Sequence, residues 1–531
     1  MTIITLIVAL IILLCVLAEK FSDKFGMPAL ILFMFIGMLF GSDGIFKIPF
    51  ENFRLAENIC SVALVFIMFY GGFNTKWSAA KKVAGKAVSL STLGVVITAG
   101  LTGLLCCFVL GLSFEESFLI GAVLSSTDAA SVFAILRKKK LNLKDGTASI
   151  LEVESGSNDP ISYMLTVIAV NLISGSGSGN VAVMMIQQIT LGAALGILLA
   201  KLSVFIMTKT KLISEGLDMI FVIAMVLACY GITAFVGGNA YLSVYLFGIL
   251  MGNSRIRHKQ TLIPFFDGVT SLAQILIFFL IGLLTFPHQM GSIAVTAAAV
   301  VVFITVFSRP VAVFLLLLPQ KCSVKQCLLI AWAGLRGASS SVFAIMAVAA
   351  GISMKQDLFH IVFLVSLFSV AIQGTLLPRV ARKLSMVDDR SDVRKTFNDY
   401  QEETGLQLMR LYIPGGHEWE NRRIKDVNLP TGSLALMIRR NHESIITRGD
   451  TEIQAGDSLI LSVPPYISNE TENLQEKQIT REDAWCDREI RELHLPEDML
   501  IAMVIRGEET IIPDGKTRIL ENDQVVMYRE Q

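Results

Sequence analysis

The chain has 531 residues, 53% hydrophobic and 17% charged, with a mean hydropathy of +0.62. That is too apolar for a soluble protein of this length, where roughly 45–50% apolar residues are usual even with glycine counted. Its 45 basic and 45 acidic residues cancel, so composition carries no footprint of nucleic-acid binding. Up to about Arg379 the charges sit in short loops, and beyond it they are spread throughout, which predicts a membrane part followed by a polar tail. The eight cysteines show no metal-ligand spacing and most lie in apolar segments, so they read as buried thiols.

The first segment, MTIITLIVALIILLCVLAEK, has no basic start and no small-residue cleavage site, and reads as a first span. A crossing helix needs about 20 apolar residues. By that measure thirteen spans are predicted, at 2–18, 27–42, 55–73, 87–111, 116–136, 147–173, 181–207, 217–236, 239–252, 267–286, 291–318, 325–350 and 357–384. The ninth is short and rests on the break at Gly237-Gly238-Asn239. With the N-terminus outside, the cytoplasmic loops hold Lys20, Lys24, Lys76, Lys81, Lys82, Lys86, the run Arg137 to Lys140 with Lys144, Lys209, Lys211, Arg255, Arg257, Lys259, Lys321 and Lys325. The outer loops hold only Lys47, Arg54 and Lys355, which is the positive-inside bias. An odd count then leaves the tail in the cytoplasm. The run SGSGSGN at 174–180 reads as a flexible connector and a candidate join between two halves of an inverted repeat.

Two acids interrupt these apolar runs. Asp128 lies in GAVLSSTDAASVF and Asp159 in LEVESGSNDPISYML. An aspartate at mid-membrane costs roughly 2.5–3.5 kcal/mol on the mildest scale, so an intramembrane acid marks an ion or proton site by default. The polar run Ser125-Ser126-Thr127-Asp128 suits a locally unwound helix whose freed carbonyls hold a cation. In the sixth span Glu152, Ser155 and Asp159 share one face, and Glu154 and Asn158 form a neighbouring stripe. A hard alkali cation takes oxygen ligands, and Asp128, Asp159, Ser155 and the Thr127 carbonyl supply them. Arg336, between Gly334 and Gly337, needs a buried partner, for which Glu154 is the choice. Arg309, ahead of a helix-breaking Pro310, has Asp267 or Glu152 as candidates. Asp159 can hold a proton or help to hold a cation, not both, and that competition with alternating access is an exchanger.

These residues resemble a known family. LSSTDAASVF, EVESGSNDP and GLRGASSSVFA, in this order over about 1–385, look like the cation:proton antiporter-1 family of sodium/proton and potassium/proton exchangers. The resemblance implies an all-α membrane fold of thirteen helices in inverted repeats with unwound crossing helices, usually as a homodimer. It implies that Asp159 binds cation and proton in turn, beside Asn158, Ser155, Thr127 and Asp128, and that Glu154 and Arg336 brace the core. Asn158, where other members carry a second acid, implies electroneutral exchange. Two departures stand out: the usual Thr-Asp-Pro reads Thr127-Asp128-Ala129, and the third span has Tyr70-Gly71-Gly72 where some sodium-selective members place an acid. Fewer anionic ligands favour a larger, more weakly hydrated cation such as potassium.

The tail contains an internal repeat. Residues 419–463 align without gaps to 485–529 at an offset of 66, matching Trp419 with Trp485 and Asp457 with Asp523. Each copy reads as a short helix and three strands, and resembles the C-terminal subdomain of regulator-of-potassium-conductance modules, an α+β unit. That kinship implies a small regulatory ligand, a cyclic dinucleotide in some members, with Arg439, Arg440 and Arg506 as candidate contacts. No G-x-G-x-x-G follows a strand, so a dinucleotide-cofactor half is not expected. The expected organisation is a membrane domain at 1–385, a linker at 386–403 and regulatory copies at 404–466 and 467–531.

The leading reading is a potassium-for-proton antiporter of the cell membrane, electroneutral and gated by its tail, with no cofactor. Sodium/proton exchange is the rival within the class. A ligand-gated cation channel is the rival outside it, but no T-V-G-Y-G filter occurs. An intramembrane enzyme would need a nucleophile and base, and His360 is the one histidine within a span.

Overall fold

The computed structural model describes residues 2–25, 28–139, 141–175, 180–210, 216–254, 256, 259–352, 354–387 and 407–529. The last range excludes 430–432, 441–442, 464–473, 482, 484, 494, 497–498, 507–508 and 512. Most of the 174–180 connector, the linker beyond Val387, the boundary between the tail copies, and Lys140, Lys211, Arg255 and Arg257 lie outside the described residues. The chain divides into two units, Met1–Gln401 and Glu402–Gln531.

The described residues of the first unit form thirteen helical stretches, the expected number. The first three are α1 (Thr2–Phe25), α2 (Ala29–Phe40) and α3 (Phe53–Asn74). The fourth joins α4 (Trp77–Ser89) to α5 (Val95–Phe108) through a π-helical turn, Leu90–Gly94. The fifth is split into α6 (Phe114–Val123) and α7 (Ala129–Lys138). Next come α8 (Thr147–Ile173), α9 (Val181–Lys209), α10 (Asp218–Phe235), α11 (Ala240–Gly252) and α12 (Lys259–Leu283). The eleventh stretch joins α13 (Pro287–Phe303) to α14 (Arg309–Leu317) through a second π-turn, Ile304–Ser308. The twelfth is split into α15 (Val324–Trp332) and α16 (Ala338–Ala349), and the last joins α17 (Leu358–Phe368) to α18 (Thr375–Lys383) through a third π-turn, Ser369–Gly374. Among the described residues eight helices are long and apolar enough to cross a membrane.

Two expectations change. The twelfth span, drawn over 325–350 as one segment, is two helices separated at 333–337. Pro310 does not end its helix. It sits in the first turn of α14 directly after a π-turn, where its missing N–H costs least.

The repeat invisible in the sequence shows in the pattern of defects. The fourth and eleventh stretches each carry a π-turn, and the fifth and twelfth are each broken. Corresponding stretches are seven apart, an odd number, so they run across the membrane in opposite directions. Lipid offers no hydrophobic drive to press helices together, so small residues set how closely they approach. A Cβ on Gly37 would overlap the Phe279 carbonyl of α12, and one on Gly282 the Met34 carbonyl of α2. The α2–α12 and α3–α11 pairs, the latter through Gly72 and Gly248, are locked in this way.

In the second unit each copy folds as a four-stranded antiparallel sheet. The first has β1 (Gln407–Tyr412), β2 (Leu434–Arg440), β3 (Glu443–Ile446) and β4 (Ser458–Val463) in the order β1-β4-β2-β3. The second has β5 (Leu474–Gln478), β6 (Met499–Arg506), β7 (Glu509–Ile511) and β8 (Gln524–Arg529) in the order β5-β8-β6-β7. Each has one strand more than expected, lying before the aligned repeat, and the expected short helix is a single 3-10 turn, Ile424–Asp426 and Ile490–Glu492. The register shift between Ala435 and Met437 recurs between Ile501 and Met503.

Two of the three arginines considered for a ligand, Arg440 and Arg506, hold these sheets together. Arg440 Nε and Nη2 donate to the two oxygens of Asp457, each at 2.7 Å, and Nη2 also reaches the Glu452 carbonyl at 2.9 Å. Arg506 does the same with Asp523, at 2.8 and 2.7 Å, and with the Arg518 carbonyl. Arg439, exposed on β2, has no counterpart, since Ile505 stands at the matching position. Burial pushes the Asp457 carboxyl up, but the Arg440 fork and the Gln454 N–H outweigh it and hold it below its ordinary value. A lowered folded value means that the pair stabilises the copy above about pH 4 and is lost as pH falls through the folded value. Arg440→Met is expected to cost the lower end of roughly 3–5 kcal/mol at neutral pH, because Asp457 is left fully buried while Arg440 keeps 26% exposure. Hydrogen exchange of the β4 amides in the full chain checks this. Protection should fall in the variant at pH 7 and converge with the wild type in acid.

Candidate functional site

The two broken helices meet at their breaks. Residues 124–128 and 333–337 lie outside the helices. The Leu124 and Ala333 N–H groups still close the last turns of α6 and α15, onto the Ile120 and Leu329 carbonyls, and the groups deeper in the breaks must be satisfied by something else. The Asp128 N–H donates to the Leu335 carbonyl at 2.8 Å. Arg336 Nη1 donates to the Ser125 and Ser126 carbonyls at 2.8 and 2.5 Å, placing a positive charge on the free carbonyl end of α6. The Arg336 N–H is held by Ser369 Oγ at 3.0 Å, in the third π-turn. Asp128 caps the start of α7, accepting from the Ser131 N–H at 3.1 Å and the Ser131 hydroxyl at 2.6 Å. A Cβ on Gly337 would overlap the Asp128 carboxylate, and one on Gly334 would crowd Arg309.

Helix α8 lies against the first break. Ser155 Oγ donates to the Thr127 carbonyl at 2.7 Å, Asn158 Nδ2 to Thr127 Oγ1 at 2.5 Å, and Ser162 Oγ to the Ala122 carbonyl at 2.6 Å. Asp159, 2% exposed, accepts from the Ser126 hydroxyl on Oδ1 and from Ser339 Oγ on Oδ2 at 2.7 Å. Pro160 follows it within α8, and its carbonyl is taken by Asn239 Nδ2 at 2.7 Å. Asp159, Asp128 and Ser155 line one cavity of about 500 Å³, together with Glu152, Asp267 and Ser339.

The five expected site residues Asp128, Thr127, Ser155, Asn158 and Asp159 therefore come together. The expected ion pair does not form as drawn. Glu154 meets Arg309, with Arg309 Nη2 2.5 Å from Glu154 Oε1 and both side chains at most 3% exposed, while Arg336 serves backbone carbonyls. Glu154 is thus the acid beside Arg309, for which Asp267 and Glu152 were the candidates. Ser339 was missed. Its signal was present in Ser339-Ser340-Ser341, a polar triple beside the second break that mirrors Ser125-Ser126-Thr127 beside the first.

Apart from His360, which pairs with the part-exposed Asp357, the buried acids among the described residues of the first unit are Asp128, Glu154 and Asp159 and the buried bases Arg309 and Arg336. With all five ionised, one negative charge is left over. One monovalent cation or one proton neutralises it.

Fold and site together are those of a secondary transporter, with buried carboxylates beside paired broken helices. The chain belongs to the sodium/hydrogen exchanger family, whose transmembrane model matches residues 7–383. A TrkA-C domain is matched twice in the tail, at 408–476 and 474–528. The chain is 32% identical over 461 residues to the K(+)/H(+) antiporter NhaP of Alkalimonas amylolytica, covering 86% of this chain and 80% of that one. It is 32% identical over 466 residues to the K(+)/H(+) antiporter NhaP2 of Shewanella oneidensis, with the same coverage. It is 26% identical over 375 residues to the Na(+)/H(+) antiporter ApNhaP of Aphanothece halophytica, covering 66% of this chain and 70% of that one. The fold is that of the sodium proton antiporter MjNhaP1 from Methanocaldococcus jannaschii, with a TM-score of 0.63 at 22% identity, over 72% of this chain and 99% of that chain.

Proposed function

We propose that the protein exchanges potassium for protons one for one, with Asp159 as the shared site. The observation that carries this is the single surplus buried charge, on a carboxylate held by two neutral hydroxyls and open to a cavity. Potassium is favoured because the donors around Asp159 are serines, and because the relatives named K(+)/H(+) antiporters match over most of the chain. Asp128 acts mainly as charged scaffold, since both its oxygens already serve the start of α7.

The same reading places the protein in the cell membrane as a homodimer, with its N-terminus outside and its tail in the cytoplasm, where a small anionic ligand such as a cyclic dinucleotide regulates exchange. The positive-inside bias supports the orientation. A path for regulation begins where the chain leaves α18. Lys144 N donates to the Met386 carbonyl at 2.9 Å and Lys144 Nζ to the Ser385 carbonyl at 3.0 Å, so this segment is stitched to the loop joining α7 and α8. Helix α8 carries Ser155, Asn158 and Asp159, and α7 is capped by Asp128.

Purified protein in proteoliposomes with an internal pH dye tests the reading. A potassium pulse is expected to dissipate an imposed pH gradient at a lower concentration than a sodium pulse, without a dependence on membrane potential. A gradient that responds to sodium alone would reassign the substrate, and one that responds to neither would overturn exchange.

A further inference from the structure

We propose that Ser339 sets the balance between proton and cation at Asp159, as a donor to the carboxylate and a hydroxyl ligand in the cavity; this rests on the exchange reading. An ionised carboxylate out of water is kept ionised by the donors that reach it. Asp159 has two in the structure, one from each half of the molecule: Ser126 at the first break and Ser339 in the first turn of α16, just beyond the second. Among the described residues no arginine or lysine hydrogen-bonds Asp159. Arg336 is spent on carbonyls and Arg309 on Glu154. The other charged groups around the cavity are Glu19, Asp128, Lys139, Glu152 and Asp267, and four of these five are acids, which work against a second negative charge.

The two serines are not equivalent. Ser339 lines the cavity through which an ion reaches Asp159, and Ser126 does not. A hydroxyl that donates its proton to the carboxylate keeps lone pairs for a cation. Ser339 thereby adds an oxygen ligand without adding charge, which suits a large, weakly hydrated ion. Its carboxylate contact at 2.7 Å is a charge-assisted hydrogen bond, the stronger kind. Removing this donor makes the carboxylate harder to ionise. The acidic limb of the exchange profile must then move toward alkaline pH, and at a fixed pH on that limb more potassium is needed to displace the proton.

Potassium-driven proton flux in proteoliposomes, measured from pH 6 to 9, tests this. In Ser339→Ala the profile is expected to shift by about one pH unit to the alkaline side, with the potassium KM on the acidic limb raised about tenfold. Ser339→Thr, which keeps the hydroxyl, should stay near the wild-type profile. A Ser339→Ala profile that superimposes on the wild type, or that only loses amplitude, overturns the proposal. If that variant fails to fold, Ser339→Cys decides: its weak donor predicts a smaller shift in the same direction, and no shift overturns the idea. A wild type silent with both potassium and sodium sinks the exchange reading and this inference together, whereas an exchanging wild type with an unshifted variant sinks the inference alone.

Discussion

Asp159→Asn is expected to abolish exchange while leaving the protein folded. The amide has the size of the carboxylate and still accepts a hydrogen bond through its oxygen, so one of the two contacts to Ser126 and Ser339 survives. What is lost is the titrating charge. Among the described buried residues of the first unit, His360 aside, the remaining charges are then Asp128 and Glu154 against Arg309 and Arg336, which already balance. A cation entering that site brings an uncompensated positive charge into a poorly solvated interior, and a proton has no group to bind. Potassium-driven flux should fall to the level of empty liposomes, with thermal unfolding in detergent close to that of the wild type.

Arg309→Leu is expected to have the largest effect on stability. It strands the Glu154 carboxylate, 1% exposed, without its ion-pair partner, and breaking a buried pair from one side costs roughly 3–5 kcal/mol. Adding Glu154→Leu should recover much of that loss, because the paired charges also cost desolvation when intact. The double-mutant cycle separates the two pairings. Coupling of Glu154 to Arg309 well above its coupling to Arg336, read from unfolding in detergent, fits the geometry, and dominant coupling to Arg336 contradicts it.

That pairing shows where the sequence stops being informative. Asp128 and Asp159 were legible because an acid in an apolar run is costly wherever it points, and the polar run 125–128 announced a break for the same reason. The partners of Arg309 and Arg336 depend instead on the direction in which each side chain leaves its helix. A π-turn at Ile304–Ser308, directly before Arg309, rotates that direction and leaves no periodic trace. The partners of Arg336 are backbone carbonyls, which no pattern of side chains reveals. The second break falls inside the span drawn over 325–350, because the apolar run continues on both sides of Gly334 and Gly337. In the tail, the repeat was plain from the 66-residue offset. The same offset relates Arg440 to Arg506 and Asp457 to Asp523, and a charge pair conserved between copies in this way is a structural clamp that the alignment already contained. The strands β1 and β5 escaped because they precede the aligned segment.

The central claim, that one carboxylate serves both ions in turn, is tested most directly by potassium-driven proton flux through the wild type and Asp159→Asn side by side as the pH is stepped. Competition at a single site predicts that on the acidic limb the wild-type potassium KM rises about tenfold for each unit the pH falls, at constant maximal rate, and that the variant carries no flux at any pH. A wild-type KM independent of pH on that limb, or exchange surviving in Asp159→Asn, would contradict it.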